Sequence, residues 1–177
     1  MFSMSNRGRG FTMLRHPVER AVSMFYFLKK HNVAAVASME LEEYCKSPHV
    51  ENNWMTRILS DQMAGEVTED HFEIAKKALK EKLVIGLLEQ KEESMRRFEY
   101  YFGWHYDDNM TSRQNSCRTR ILVGDYRTNE SAKGKVQENS PAWSLLMWQN
   151  KYDMQLYRYA KKLFLQQGAE LFADMSA

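Results

Sequence analysis

The chain reads as a helix-rich α/β protein, and three observations predict that class. Two short apolar runs, Phe11–Leu14 (FTML) and Leu83–Leu87 (LVIGL), have the length of buried strands. Around them, apolar residues recur at helical spacing over several longer segments, most of them opened by a capping residue or a proline. At 177 residues, with 44% hydrophobic and 12% aromatic side chains, the chain carries enough apolar surface for one packed domain.

The segment Phe11–Leu28, FTMLRHPVERAVSMFYFL, organises the rest. Pro17 suits the first helical position, where its missing N–H breaks no bond. From there Val18, Ala21, Val22, Phe25 and Leu28 mark one apolar helical face, with Arg20, Ser23 and Lys30 opposite. Arg15 therefore sits at the exit of a strand and Ser23 on the first turns of the following helix. Helix dipole, backbone N–H donors and a guanidinium together suit an anion such as a phosphate. Equally, Arg15 and Arg20 could pair with nearby carboxylates such as Glu19.

Along the chain, Ser38 is placed to cap a short helix running to Lys46, which Ser47-Pro48 closes. Asn52–Met63 reads as a helix with Met55, Ile58, Leu59 and Met63 inward. Thr68 caps a helix carrying Phe72, Ala75, Leu79 and Leu83. Glu92–Phe102 follows the second strand, with Gly103 as the residue that ends it. Ser140-Pro141 opens a further helix, and the segment after Asn150 sets Leu156, Ala160, Leu163 and Gln167 on one face before ending at Gly168. The expected organisation is a lead-in at 1–10, a single domain over 11–168 and a tail at 169–177.

Composition excludes little else. The formal charge is +2, and no apolar run approaches the eighteen or more residues of a membrane span. Met1 opens no recognisable signal peptide. Cys45 and Cys117 allow one bridge or two thiols. Asn109-Met-Thr and Asn129-Glu-Ser are glycosylation sequons. An Arg-Gly arm at Arg7–Gly10 is too short to predict a nucleic-acid partner. His105, Asp107 and Asp108 lack a third ligand at a recognisable spacing, so no metal is expected. Thr111–Lys135 carries six basic residues against two acidic ones, a local excess of +4 that exceeds the whole chain's. Such a loop can hold anions, or simply be solvated.

The string R-x-P-x-x-R-x-x-S, here Arg15, Pro17, Arg20 and Ser23, resembles the 3′-phosphate-binding segment of sulfotransferases that use 3′-phosphoadenosine 5′-phosphosulfate (PAPS). It looks most like the Golgi carbohydrate branch, which includes the heparan sulfate O-sulfotransferases. Weaker strings follow in the family's order: Asn53, Thr56 and Arg57 as N-x-x-T-R, Gly86 and Glu89 as G-x-x-E, Gly103-Trp104, and Asn150, Asp153, Leu156, Tyr157, Ala160 and Phe164 as a closing signature. The resemblance implies a partial P-loop-type three-layer fold with a small parallel sheet. It implies PAPS as sulfuryl donor, a carbohydrate acceptor, and a Golgi lumenal or membrane-associated setting. Arg15 and Ser23 would hold the nucleotide's 3′-phosphate, Ser131 and Lys133 would contribute from a late nucleotide loop, and Arg57 would face an anionic acceptor. Arg20 would be structural.

The chain departs from the family at its front. No Gly-rich Lys-Ser/Thr loop for the 5′-phosphosulfate occurs, and Leu88 stands where threonine is usual. No catalytic base can be named among His16, His31, His49, His71 and His105. The chain thus resembles the C-terminal portion of a sulfotransferase. The competing reading is a non-catalytic helical domain that binds a polyanion through the basic 111–135 loop.

Overall fold

The computed structural model describes residues 10–104 and 136–172, with Ser116 between them. In chain order these form β1 (Gly10–Leu14), α1 (Pro17–Lys30), α2 (Leu41–Lys46), α3 (Trp54–Ser60), α4 (Glu69–Lys82), β2 (Leu83–Leu87), α5 (Lys91–Phe102), α6 (Pro141–Gln149) and α7 (Lys151–Phe172). The protein is therefore a helix-rich α/β fold with a small parallel sheet. The chain's contacts divide it into two compact units interleaved in sequence. Among the described residues, 10–14, 79–104 and 160–172 make the first, and 15–78 with 136–159 the second.

The first unit is built on the sheet. β1 and β2 pair in parallel, with Gly10 opposite Leu83 and Leu14 opposite Leu87. From Val84 to Leu87 β2 is buried, as a strand covered on both faces requires. α5 comes so close that a Cβ on Gly86 would lie 2.5 Å from Phe98 Cζ and 3.1 Å from Ser94 Cβ. Glycine at 86 is thus a packing requirement.

Side chains seal the other edge of β2 where a third strand would otherwise bond. Gln167 accepts from the Ile85 N–H at 2.8 Å and donates through Nε2 to the Leu83 carbonyl at 3.0 Å. The Ser94 hydroxyl oxygen accepts from the Leu87 N–H at 2.9 Å. A side-chain amide can do this because it carries one donor and one acceptor in a peptide-like plane. Edge backbone groups that would cost free energy if buried unpaired are thereby satisfied.

Gly168 does not end the last helix, which continues to Phe172. The reason is Arg97, buried on α5, which donates to the Phe164 carbonyl and stacks over the Phe164 ring at 3.5 Å. Its guanidinium occupies the space that a Cβ on residue 168 would need. The glycine is therefore a gap that admits a cation, and it leaves the helix unbroken.

In the second unit α1 packs Val18, Ala21 and Val22 against Cys45 of α2 and Ala142 and Leu146 of α6, while Phe25 meets Val36 and Tyr44. Ser140 caps α6 by accepting from the Trp143 N–H at 3.2 Å, as its Ser-Pro start predicts. Two expectations need correction here. α2 starts at Leu41, and its cap is Glu40 in a reciprocal capping box with Glu43; Ser38 does not cap it. The preceding residues Val33–Ala37 are already committed to a hydrogen-bonded turn, which pushes the helix start past Ser38. α3 is shorter than Asn52–Met63, because left-handed residues Asn53 and Asp61 bound it at seven residues. Ile58 and Met63 are consequently exposed, and only Met55 and Thr56 are buried on that element.

Replacing Gln167 by Leu keeps the volume and removes both amide contacts to β2. We expect a loss of about 2–4 kcal/mol, from one buried donor and one buried acceptor left unpaired. Urea unfolding should show a lower midpoint; an unchanged midpoint would mean that water replaces the amide.

Candidate anion-binding site

The functional residues expected from sequence fall into three groups. Arg15 and Ser23 belong to the segment around α1, Arg57 to α3, and Ser131 and Lys133 lie outside the described residues. So do the basic Thr111–Lys135 loop apart from Ser116, the Asn109 and Asn129 sequons, Cys117, the Arg7–Arg9 arm, and His105 with Asp107 and Asp108.

Arg15 precedes His16, the N-cap of α1, and Pro17 occupies the first helical position. The His16 side chain makes no capping bond. Its ring is stacked on Trp143 at 5.3 Å and meets the edge of Tyr157 at 5.7 Å. Two aromatic neighbours thus hold the residue that sets the entry angle of Arg15. The Arg15 side chain is partly exposed and donates through Nε to the exposed Glu19 Oε2 at 3.3 Å. Glu19 lies in the first turn of α1, where the positive end of the dipole favours a carboxylate. Ser23 follows one turn later and is half-buried. Glu19 and Ser23 are thus four residues apart on one side of α1, and Arg15, just ahead of the N-cap, reaches Glu19.

Arg20 faces elsewhere and has the structural part expected of it. It forms an ion pair with Glu51 at 2.6 Å and lies over the Trp54 ring at 5.4 Å. The contact is a close charge pair more than an aligned hydrogen bond, since Glu51 Oε2 meets no hydrogen-bond geometry. Burial holds the Glu51 carboxyl above its ordinary range, and the Arg20 guanidinium offsets that only in part.

Arg57 is committed to the backbone around it. Its Nε donates to the Asn52 carbonyl and Oδ1, and its terminal nitrogens to Asn52 Oδ1, the Gln62 carbonyl and the Gly65 carbonyl, at 2.7–3.1 Å. Five bonds wrap residues 52–65 around one guanidinium. An acceptor anion would have to compete with all of them.

The strings Asn53-x-x-Thr56 and Asn150-x-x-Asp153 meet in one buried arrangement. Asp153 on α7 accepts from the Met55 and Thr56 N–H groups and from the Thr56 hydroxyl, at 2.7–2.8 Å. Those are the donors that the start of α3 leaves open. In return, Asn53 Oδ1 accepts from the Tyr152 and Asp153 N–H groups that open α7, at 2.9 and 3.2 Å. The Asn53 N–H donates to Asn150 Oδ1 at 2.9 Å. Burial pushes the Asp153 carboxyl up, while its bonds from Thr56 and Met55 favour the charged form. An asparagine before each helix was the available sequence signal; that each helix caps the other was not visible in it.

In the first unit, an open depression at Leu88–Glu93 and Arg96 sets Glu89, Glu92 and Glu93 against Lys91 and Arg96, a balance that suits no anion. Among the described residues no three His, Cys, Asp or Glu side chains are placed to hold a metal ion, and no helix is long and apolar enough to cross a membrane. No protein-family model, curated protein or solved structure matches the chain.

Two outcomes test this description. Asp153→Ala should cost about 2–4 kcal/mol through lost caps and buried N–H groups left unpaired. A thermal midpoint within a degree of the parent would contradict the capping role. The second concerns pH. Burial, chiefly, pushes the Tyr44 phenol from 10.0 up to about 12 and the Cys45 thiol from 9.0 up to about 11. Both folded values are raised, so their stabilising contribution is intact below pH 9 and is lost as pH climbs through 11 to 12. Thermal midpoints should fall over that window, and Tyr44→Phe should retain more stability above pH 10.

Proposed function

We propose that the chain is a PAPS-dependent carbohydrate sulfotransferase, or the C-terminal part of one, whose Arg15 and Ser23 hold the 3′-phosphate of the nucleotide. The observation that carries this reading is the Arg15–Glu19–Ser23 grouping at the start of a proline-led helix. The Arg15 guanidinium, just ahead of that helix, already holds an anion, the Glu19 carboxylate, one helical turn before the Ser23 hydroxyl. The ordered string R-x-P-x-x-R-x-x-S supports the same assignment from sequence.

In such an enzyme the acceptor hydroxyl gives its proton to a base and its oxygen takes the sulfuryl group. The S–O bond to the nucleotide breaks, and cations stabilise the charge left on the departing phosphate. Arg15 and Ser23 act at the far end of that nucleotide, so their contribution is positioning. Ser131 and Lys133 complete the nucleotide contacts in this proposal, and Arg57 meets the acceptor only by giving up its bonds to residues 52–65. No residue is assigned as base. The concentrated charge of the 111–135 loop favours a second reading, a non-catalytic domain that attaches to a sulfated or phosphorylated polymer.

Calorimetry with adenosine 3′,5′-bisphosphate separates them. The nucleotide should bind, and Arg15→Ala should weaken it by tenfold or more, about 1.5–3 kcal/mol for a hydrogen bond to a charged group. The mutant's thermal midpoint should barely move, because an exposed i, i+4 pair is worth less than about 1 kcal/mol. Equal affinity in the mutant would overturn the proposal. Salt-sensitive binding to heparin with no nucleotide affinity would establish the polymer reading instead.

A further inference from the structure

In the second unit, two buried carboxylates face a single guanidinium. Asp153 on α7 is fully buried, the Glu51 side chain is 13% exposed, and Arg20 on α1 acts on both. The two acids are held differently. Asp153 accepts from the Met55 and Thr56 N–H groups and from the Thr56 hydroxyl, donors that favour its charged form. Glu51 Oε2 meets Arg20 at 2.6 Å but has no aligned hydrogen bond among the described residues. Tyr44 of α2 lies against Glu51, wholly buried, and its hydroxyl also has no hydrogen-bond partner. The ionisable groups that face Glu51 are therefore Arg20 from α1, Tyr44 from α2 and Asp153 from α7. Trp54 at the start of α3 adds its ring beneath Arg20.

One cation cannot balance two carboxylates away from water, so this cluster lowers its free energy by taking up a proton. The geometry decides which acid receives it. Protonating Asp153 would weaken three aligned bonds at the start of α3. Protonating Glu51 gives up one unaligned ion contact and creates an O–H donor beside the unpaired Tyr44 hydroxyl oxygen. Glu51 also keeps enough exposure to exchange a proton with solvent.

We propose that Glu51 is a proton switch, which takes one proton from mildly acidic solution and then donates to the Tyr44 hydroxyl in place of its contact with Arg20. Arg20 keeps the Trp54 ring and the field of Asp153, so the net charge of the cluster falls by one without stranding the cation. The switch ties the packing of α1, α2, α3 and α7 to pH, and it does not depend on what binds beside Arg15.

Its sign distinguishes it from an ordinary ion pair. Burial, the largest influence on Glu51, holds its carboxyl above the ordinary 4.5 in the folded protein. The stabilising contribution of such a group is complete below 4.5 and is lost as pH rises through the folded value. A well-made ion pair does the opposite and weakens in acid.

Thermal midpoints of the parent and Glu51→Gln, measured from pH 8 to pH 4, test this. The difference between the two cancels the titration of all other groups. The parent should gain on Glu51→Gln as pH falls, by about 2–4 °C, the scale of one titrating group in a chain of this length. A parent that loses ground in acid, or a constant difference, overturns the switch. Carbon-13 NMR titration of the side-chain carboxyls in the parent gives a second reading that needs no variant to fold. The Glu51 signal should move with a midpoint above 4.5, ahead of Asp153. A Glu51 midpoint at or below 4.5, or Asp153 moving first, would also overturn it.

Discussion

Much of the second unit depends on two helix starts that satisfy each other. α3 and α7 both begin with unpaired backbone donors, and both would be costly to bury in that state. Asp153 answers for α3, and Asn53 answers for α7. The exchange ties residues about a hundred positions apart, so neither helix is correctly terminated unless the other is in place. Glu51 and Trp54 flank the cap residue Asn53, and both hold Arg20 of α1. A continuous set of polar contacts thus leads from the start of α7, through α3, to the helix beside Arg15. The precision of any anion site there is inherited from this buried polar frame.

Such an arrangement carries a known energetic asymmetry. A buried carboxylate that accepts three hydrogen bonds adds modest net stability, but losing its partners leaves several groups unpaired at once. It therefore specifies one arrangement more strongly than it stabilises it. The same logic governs the first unit, where the Gln167 amide seals β2 and Arg97 fills the space above Gly168. In both units, polar side chains reach across the chain to finish backbone structure that the helices and strands leave incomplete.

What could be read from the sequence divides along the same line. β1, β2, α1 and α6 follow local rules, an apolar run or a proline after a capping position, and the structure places them where those rules put them. Local rules failed where the deciding contact was distant or the position already taken. Ser38 lost the α2 cap because a turn at Val33–Ala37 intervened. Gly168 did not stop α7, because the glycine serves Arg97 from another element. Asn53, Thr56, Asn150 and Asp153 stood out as strings, yet their pairing needs the third dimension. Arg57 shows the converse, a cation suited to an acceptor by sequence whose guanidinium the backbone of residues 52–65 already engages. Of the candidate site, the Arg15 and Ser23 spacing was visible, and so was Glu19 as a partner for Arg15.

The most direct measurement is a crystal structure of the chain with adenosine 3′,5′-bisphosphate. The account predicts the 3′-phosphate within hydrogen-bonding distance of both the Arg15 guanidinium and the Ser23 hydroxyl, with the Glu19 carboxylate turned away from Arg15. A nucleotide bound elsewhere, with Arg15 still on Glu19, would contradict it.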